Sequence, residues 1–177
     1  MNKKIRLLSL VSVAAIGACF VTVLSTRNEN TFEITKAGVS EYTLVIDCSS
    51  NNISAGSDFV VNTTSGNPLS FHVDNRFTKT ASGLQFSDED AKISNNDPFQ
   101  SIYSITVSTV DNDNQYYPIS IAGKNLDDEY WGGFDHADVG KEFLLGGKNY
   151  FTINAKATMG TKTITSITIK YTCTPLA

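Results

Sequence analysis

The side chains best suited to act on a ligand lie in one acidic, glycine-bearing stretch. Tyr130, Trp131 and Phe134 stand among Asp127, Asp128, Glu129, Asp135 and His136, with Gly132 and Gly133 between the rings. Flat aromatics of this kind stack on the apolar face of a sugar ring while carboxylates and amides bond its hydroxyls. The glycines let the backbone come close to such a ligand. The candidate ligand-binding residues are therefore Trp131, Tyr130, Phe134, Asp128 and His136. The competing reading is that Trp131 and Phe134 fold down to cap a hydrophobic core, as large loop aromatics often do.

Cation chemistry is the next candidate. Asp111-Asn112-Asp113-Asn114-Gln115 sets oxygen ligands at alternating positions, and Asp127-Asp128-Glu129 adds three carboxylates. Calcium takes six to eight such oxygens. The first run lacks the glycine and distal glutamate of an EF-hand loop and reads more simply as a hairpin turn, as does Asp88-Glu89-Asp90. No other cofactor is suggested. Nucleophilic catalysis needs a Ser or Cys beside a positioned base, and the two histidines, His72 and His136, sit in no such motif. The expectation is a non-catalytic chain, with a hydrolase as the remaining alternative, since any two of the 18 acidic residues could meet as a carboxylate pair.

These residues are placed outside the cytoplasm by the N-terminus. Lys3, Lys4 and Arg6 precede an apolar stretch from Leu7 to Leu24. A basic flank followed by an apolar helix is an export signal, its charged end held on the cytoplasmic side. Three fates are open to residues 1–25: cleavage after Ser25, retention as an anchor of about 18 to 20 apolar residues, or lipidation of Cys19 in the lipobox-like Ile16-Gly17-Ala18-Cys19. The apolar run Phe20 to Leu24 is unusual for a lipoprotein tether. Residues 26–30 read as a linker and 31–177 as one domain.

Without Lys3, Lys4 and Arg6, the 14 basic residues fall to 11 against 18 acidic ones, a formal charge of −7. Nucleic acid is a poor partner for that surface, and membrane contact is expected only through the N-terminal segment. The mature part keeps Cys48 and Cys173. Outside the cell they can pair, closing a loop of about 125 residues. Each follows a strand at one end of the domain, so antiparallel neighbours put them at opposite ends, and a bridge requires parallel pairing or a bend.

About eleven strands are expected from short β-branched and aromatic runs separated by turn residues. They cover Thr31–Thr35, Tyr42–Asp47, Asp58–Asn62, Leu69–Asp74, Gly83–Ser87, Ala91–Ser94, Ile102–Val107, Tyr116–Ala122, Glu142–Leu145, Tyr150–Ala157 and Ile164–Tyr171. Gly83–Ser87 and Ala91–Ser94 look like a hairpin. Ile102, Ser104 and Thr106 are expected on one face, with Tyr103, Ile105 and Val107 on the other. Asp135 to Gly140 offers at most one helical turn. Strands with one wet face need a second sheet, which predicts an all-β, antiparallel β-sandwich, most simply a jelly roll, after the N-terminal signal or anchor helix.

The segments Ser82-Gly83-Leu84-Gln85-Phe86, Ala91-Lys92-Ile93-Ser94-Asn95 and Phe99 to Val107, with the closing run Ile164 to Cys173, resemble extracellular domains of low-GC Gram-positive bacteria. Those domains are similar to galactose-binding-like jelly rolls that serve as carbohydrate-binding modules. The resemblance implies a glycan partner and carries no individual contact residue. Its alternative is a surface protein that recognises another protein through a sheet edge.

Overall fold

The computed structural model describes residues 21–24, 33–36, 40–63, 67–127 and 135–173. The chain divides into two units, Met1–Gly38 and Val39–Ala177. In the first, β1 (Val21–Leu24) pairs antiparallel with β2 (Glu33–Lys36). The strand expected at Thr31–Thr35 thus exists two residues later and belongs to this ribbon, not to the sandwich. The last four residues of the apolar stretch expected as a helix are strand; residues 1–20, including Cys19, lie outside the described residues.

The second unit is all-β, with two antiparallel sheets packed in a sandwich-like arrangement. One sheet runs β11 (Asp135–His136), β10 (Ile119–Lys124), β13 (Tyr150–Ala155), β8 (Ala91–Asn95), β5 (Pro68–Val73), β4 (Ser57–Asn62). The other runs β12 (Glu142–Lys148), β9 (Ser101–Thr109), β14 (Lys162–Cys173), β7 (Gly83–Phe86), β6 (Thr78–Thr80), and β3 (Ser40–Asp47) pairs with β14 beside β7. Four antiparallel pairings are nested in sequence: β7 with β14, β8 with β13, β9 with β12 and β10 with β11.

The core explains the strand patterns. In β14, Ile164, Ile167, Ile169 and Tyr171 are all buried although the first two are three residues apart. A strict period of two would turn Ile164 to solvent. A register shift between Ile164 and Ser166 supplies the extra residue and keeps both isoleucines inside. The same device corrects the expected alternation in β9, where Ile102 and Ile105 are both buried, with the irregularity at Tyr103 and Ser104. Between the sheets, Phe99 packs edge-on against Tyr171 at 5.1 Å and tilts against Phe71 at 6.2 Å and Phe151 at 6.5 Å. Burying a ring of this size contributes roughly 1.5–3 kcal/mol. Asn95 pins the loop that carries Phe99: its Nδ2 donates to the carbonyls of Asp97 and Asn149, and its Oδ1 accepts the Phe151 N–H at 2.7 Å.

Two expected hairpins are crossovers. Asp88-Glu89-Asp90 and Asp111 to Gln115 each carry the chain from one sheet to the other, because β7 and β9 pair with β14 while β8 and β10 pair with β13. Nor does a disulfide join Cys48 and Cys173. β3 and β14 are antiparallel, with Cys173 opposite Ser40 and the Cys48 N–H donating to the Thr165 carbonyl. The cysteines therefore stand at opposite ends of an eight-residue ladder, roughly 25 Å apart along the strands. That distance is several times what a disulfide spans.

Candidate functional site

Of the residues chosen from sequence, Trp131, Tyr130, Phe134 and Asp128 lie outside the described residues. His136 is described. It is exposed on β11, a two-residue strand at the sheet edge in the stretch where the sequence allowed at most one helical turn, opposite Ser120 of β10. Its imidazole lies 5.0 Å from the ring of Tyr117, tilted by 38°.

Tyr117 and its neighbour Tyr116 were expected to begin a strand, yet β10 starts only at Ile119. Both tyrosines adopt left-handed backbone conformations, with φ of 60° at Tyr116 and 47° at Tyr117. For bulky non-glycine residues this costs about 1–3 kcal/mol each and persists only where surroundings enforce it. Pro118 contributes by disfavouring a right-handed helical conformation at Tyr117. The Tyr117 N–H closes a turn onto the Asn114 carbonyl at 3.2 Å. The loop is anchored through its polar side chains: Asn114 Nδ2 donates to Asp138 Oδ1 at 2.6 Å, and Asp113 Oδ1 accepts from Lys162 Nζ at 2.5 Å and from the Gln115 N–H at 3.0 Å. The Lys162 hydrogen bond, then that of Gln115, holds the Asp113 carboxyl below the usual carboxylate value.

The strained loop thus presents two rings to solvent, Tyr116 at 60% and Tyr117 at 54% exposure. Its Asp111 and Asp113 also line an open cleft of about 310 Å³, together with Met159, Thr161 and Lys162. Such a surface can stack a flat apolar face and bond hydroxyls at its margin. A sequence signal for it existed in the polar run Asn112 to Gln115 and in Pro118, which bracket the two tyrosines with turn chemistry.

Of the carboxylates considered for calcium, Asp128 and Glu129 lie outside the described residues. Asp113 is engaged by Lys162, and among the described residues no group of three or more His, Cys, Asp or Glu side chains converges. His72 is the strand residue its alternation implied. Its Nδ1 lies 2.6 Å from Asp58 Oδ1 across β4 and β5, and this contact, ahead of Asn96, lowers the Asp58 carboxyl pKa.

No family model matches the sequence, and comparison with curated proteins and with solved structures finds no match.

Proposed function

We propose that this chain is an exported, non-catalytic binding module whose ligand is a glycan, held at the end of the sandwich formed by the β9–β10 loop and β11. The carrying observation is the pair Tyr116 and Tyr117, both exposed, both in a strained left-handed conformation and one set against His136. Strain maintained by surrounding contacts at a solvent-facing aromatic pair is economical when the rings serve recognition. The sequence adds Trp131 and Phe134 immediately before His136, and Tyr130 and Asp128 beside them. The acidic mature chain favours a neutral ligand over a polyanion.

The sandwich is read as a jelly roll. The nested pairings of β7 with β14, β8 with β13, β9 with β12 and β10 with β11 support this, since a jelly roll is a long antiparallel ribbon rolled into two sheets. Fold alone does not choose the ligand. A protein-binding surface module is the second reading, favoured by β4, which forms an edge of its sheet and leaves Val60 exposed.

A glycan array probed with the full chain, in a detergent without sugar headgroups, tests the proposal. At least one glycan is expected to bind, with Tyr117→Ala and Trp131→Ala each weakening it about tenfold or more, equivalent to about 1.4 kcal/mol. Absence of binding to every glycan, or binding indifferent to both substitutions, contradicts it.

A further inference from the structure

We propose that β4 pairs antiparallel with the β4 of a second copy, so that two chains join their sheets edge to edge into a dimer. The inference is independent of the glycan reading and commits the edge that favours a protein partner to one occupant. β4 lies at the end of its six-stranded sheet and, among the described residues, pairs only with β5. Its other side offers a row of backbone N–H and C=O groups to a further strand. Nothing in the strand blunts that edge. It holds no proline, glycine or lysine, its register with β5 runs unbroken from Ser57 to Asn62, and Asp58 is its one charge.

The other edges are less suited. β11 and β6 have two and three residues, and the register of β12 shifts between Leu144 and Lys148, across Gly146 and Gly147, both of positive φ. β3 is long enough, but centring it on its own copy sets Glu41 opposite Asp47. Like charges directly opposite one another destabilise a pair.

A second copy is the occupant because the sequence of β4 is complementary to itself. Residues opposed across a two-fold antiparallel pair must point to the same face, so their numbers sum to an even value. Near the middle of β4 this leaves two registers. One sets Asp58 against Val60. The other sets Asp58 against Asn62, Phe59 against Val61 and Val60 against its own copy, which matches carboxylate with amide and hydrocarbon with hydrocarbon. The second register covers Val60, 61% exposed on the outer face, and Val61, at the margin of the core on the inner face. It also keeps the two Asp58 carboxylates four residues apart along the strands, roughly 13 Å and beyond the Debye length of about 8 Å at physiological salt. Each stays engaged by His72 of its own chain at 2.6 Å.

The two-fold axis makes a specific test, because residue 60 then faces itself. In sedimentation velocity of the full chain in detergent, the wild type is expected to dimerise reversibly with a dissociation constant in the micromolar range, as suits a small interface. Val60→Lys and Val60→Glu, at an exposed position, are each expected to weaken the dimer about tenfold or more by setting like charges opposite. An equimolar mixture of the two variants is expected to associate more tightly than either alone, since opposite charges then meet across the axis. The proposal is overturned if the wild type stays monomeric up to about 500 μM, or if the mixture associates no better than its components. Association through the apolar segment Leu7 to Leu24 survives both substitutions, so dimers of unchanged strength in both variants also overturn it. None of these results bears on the aromatic end of the sandwich.

Discussion

Cys48 shows how strongly a single side chain is governed by its place in the fold. It directly follows β3 and is fully buried, and desolvation pushes its thiol pKa up to about 12. A thiol rather than a thiolate at mildly alkaline pH is a poor nucleophile. Iodoacetamide is expected to leave Cys48 unmodified in the native full chain and to alkylate it once the chain is denatured; rapid native labelling would contradict this placement. Asp113 supplies a second prediction. Its folded pKa lies below the ordinary 3.8, so its contribution to stability is present above that value and is lost as pH falls through the lower folded value. Asp113→Asn is expected to flatten the dependence of thermal midpoint on pH below about 4, and an unchanged pH profile would show that the Lys162 contact is immaterial. At this scale the sequence was only partly legible. It named both cysteines but left their strands' pairing, parallel or antiparallel, open, and it did not show the left-handed Tyr116 and Tyr117, whose loop is anchored by residues distant in sequence, Asp138 and Lys162.

Strand elements were far more legible, because half-buried strands write their period of two into the sequence. Each of the eleven expected strands has a counterpart. The strands not anticipated were β1, within the stretch expected as a helix, and β6 and β11, the last two only three and two residues long. Pairing was harder to read: a polar connection such as Asp88-Glu89-Asp90 serves a hairpin or a crossover equally well, and the choice is made by the sheet that buries the next strand. Gly83 tests the β7–β14 junction. Its φ is +147°, and a Cβ there would lie 2.0 Å from the Ile164 carbonyl oxygen. Gly83→Ala is expected to destabilise the domain by at least about 2 kcal/mol in denaturant unfolding. Gly146→Ala, where no atom lies within 4 Å, bears only the cost of its positive φ and is expected to lose less. Equal losses would show that the close approach to Ile164 is not what requires glycine.

For the whole molecule we propose an export signal followed by an acidic sandwich that binds sugar at the end formed by the β9–β10 loop and β11. The signal makes its own prediction: replacing Lys3, Lys4 and Arg6 by glutamate is expected to impair delivery of a reporter fused after Ser25, and undiminished delivery would remove the basis for an extracytoplasmic role. Of the five candidate ligand-binding residues named from sequence, His136 alone falls among the described residues. The sequence singled out aromatics among carboxylates near His136, and the described residues add Tyr116 and Tyr117 from a loop about twenty residues earlier that only the fold of β10 and β11 brings alongside. Contact between these rings and sugar is measured by an aromatic-region ¹³C NMR titration of the full chain with the tightest ligand from the glycan array. The rings of Tyr116, Tyr117 and His136 are expected to shift in a saturable manner with one common dissociation constant; rings that stay fixed while the ligand binds elsewhere would show that sugar is not held at this end of the sandwich.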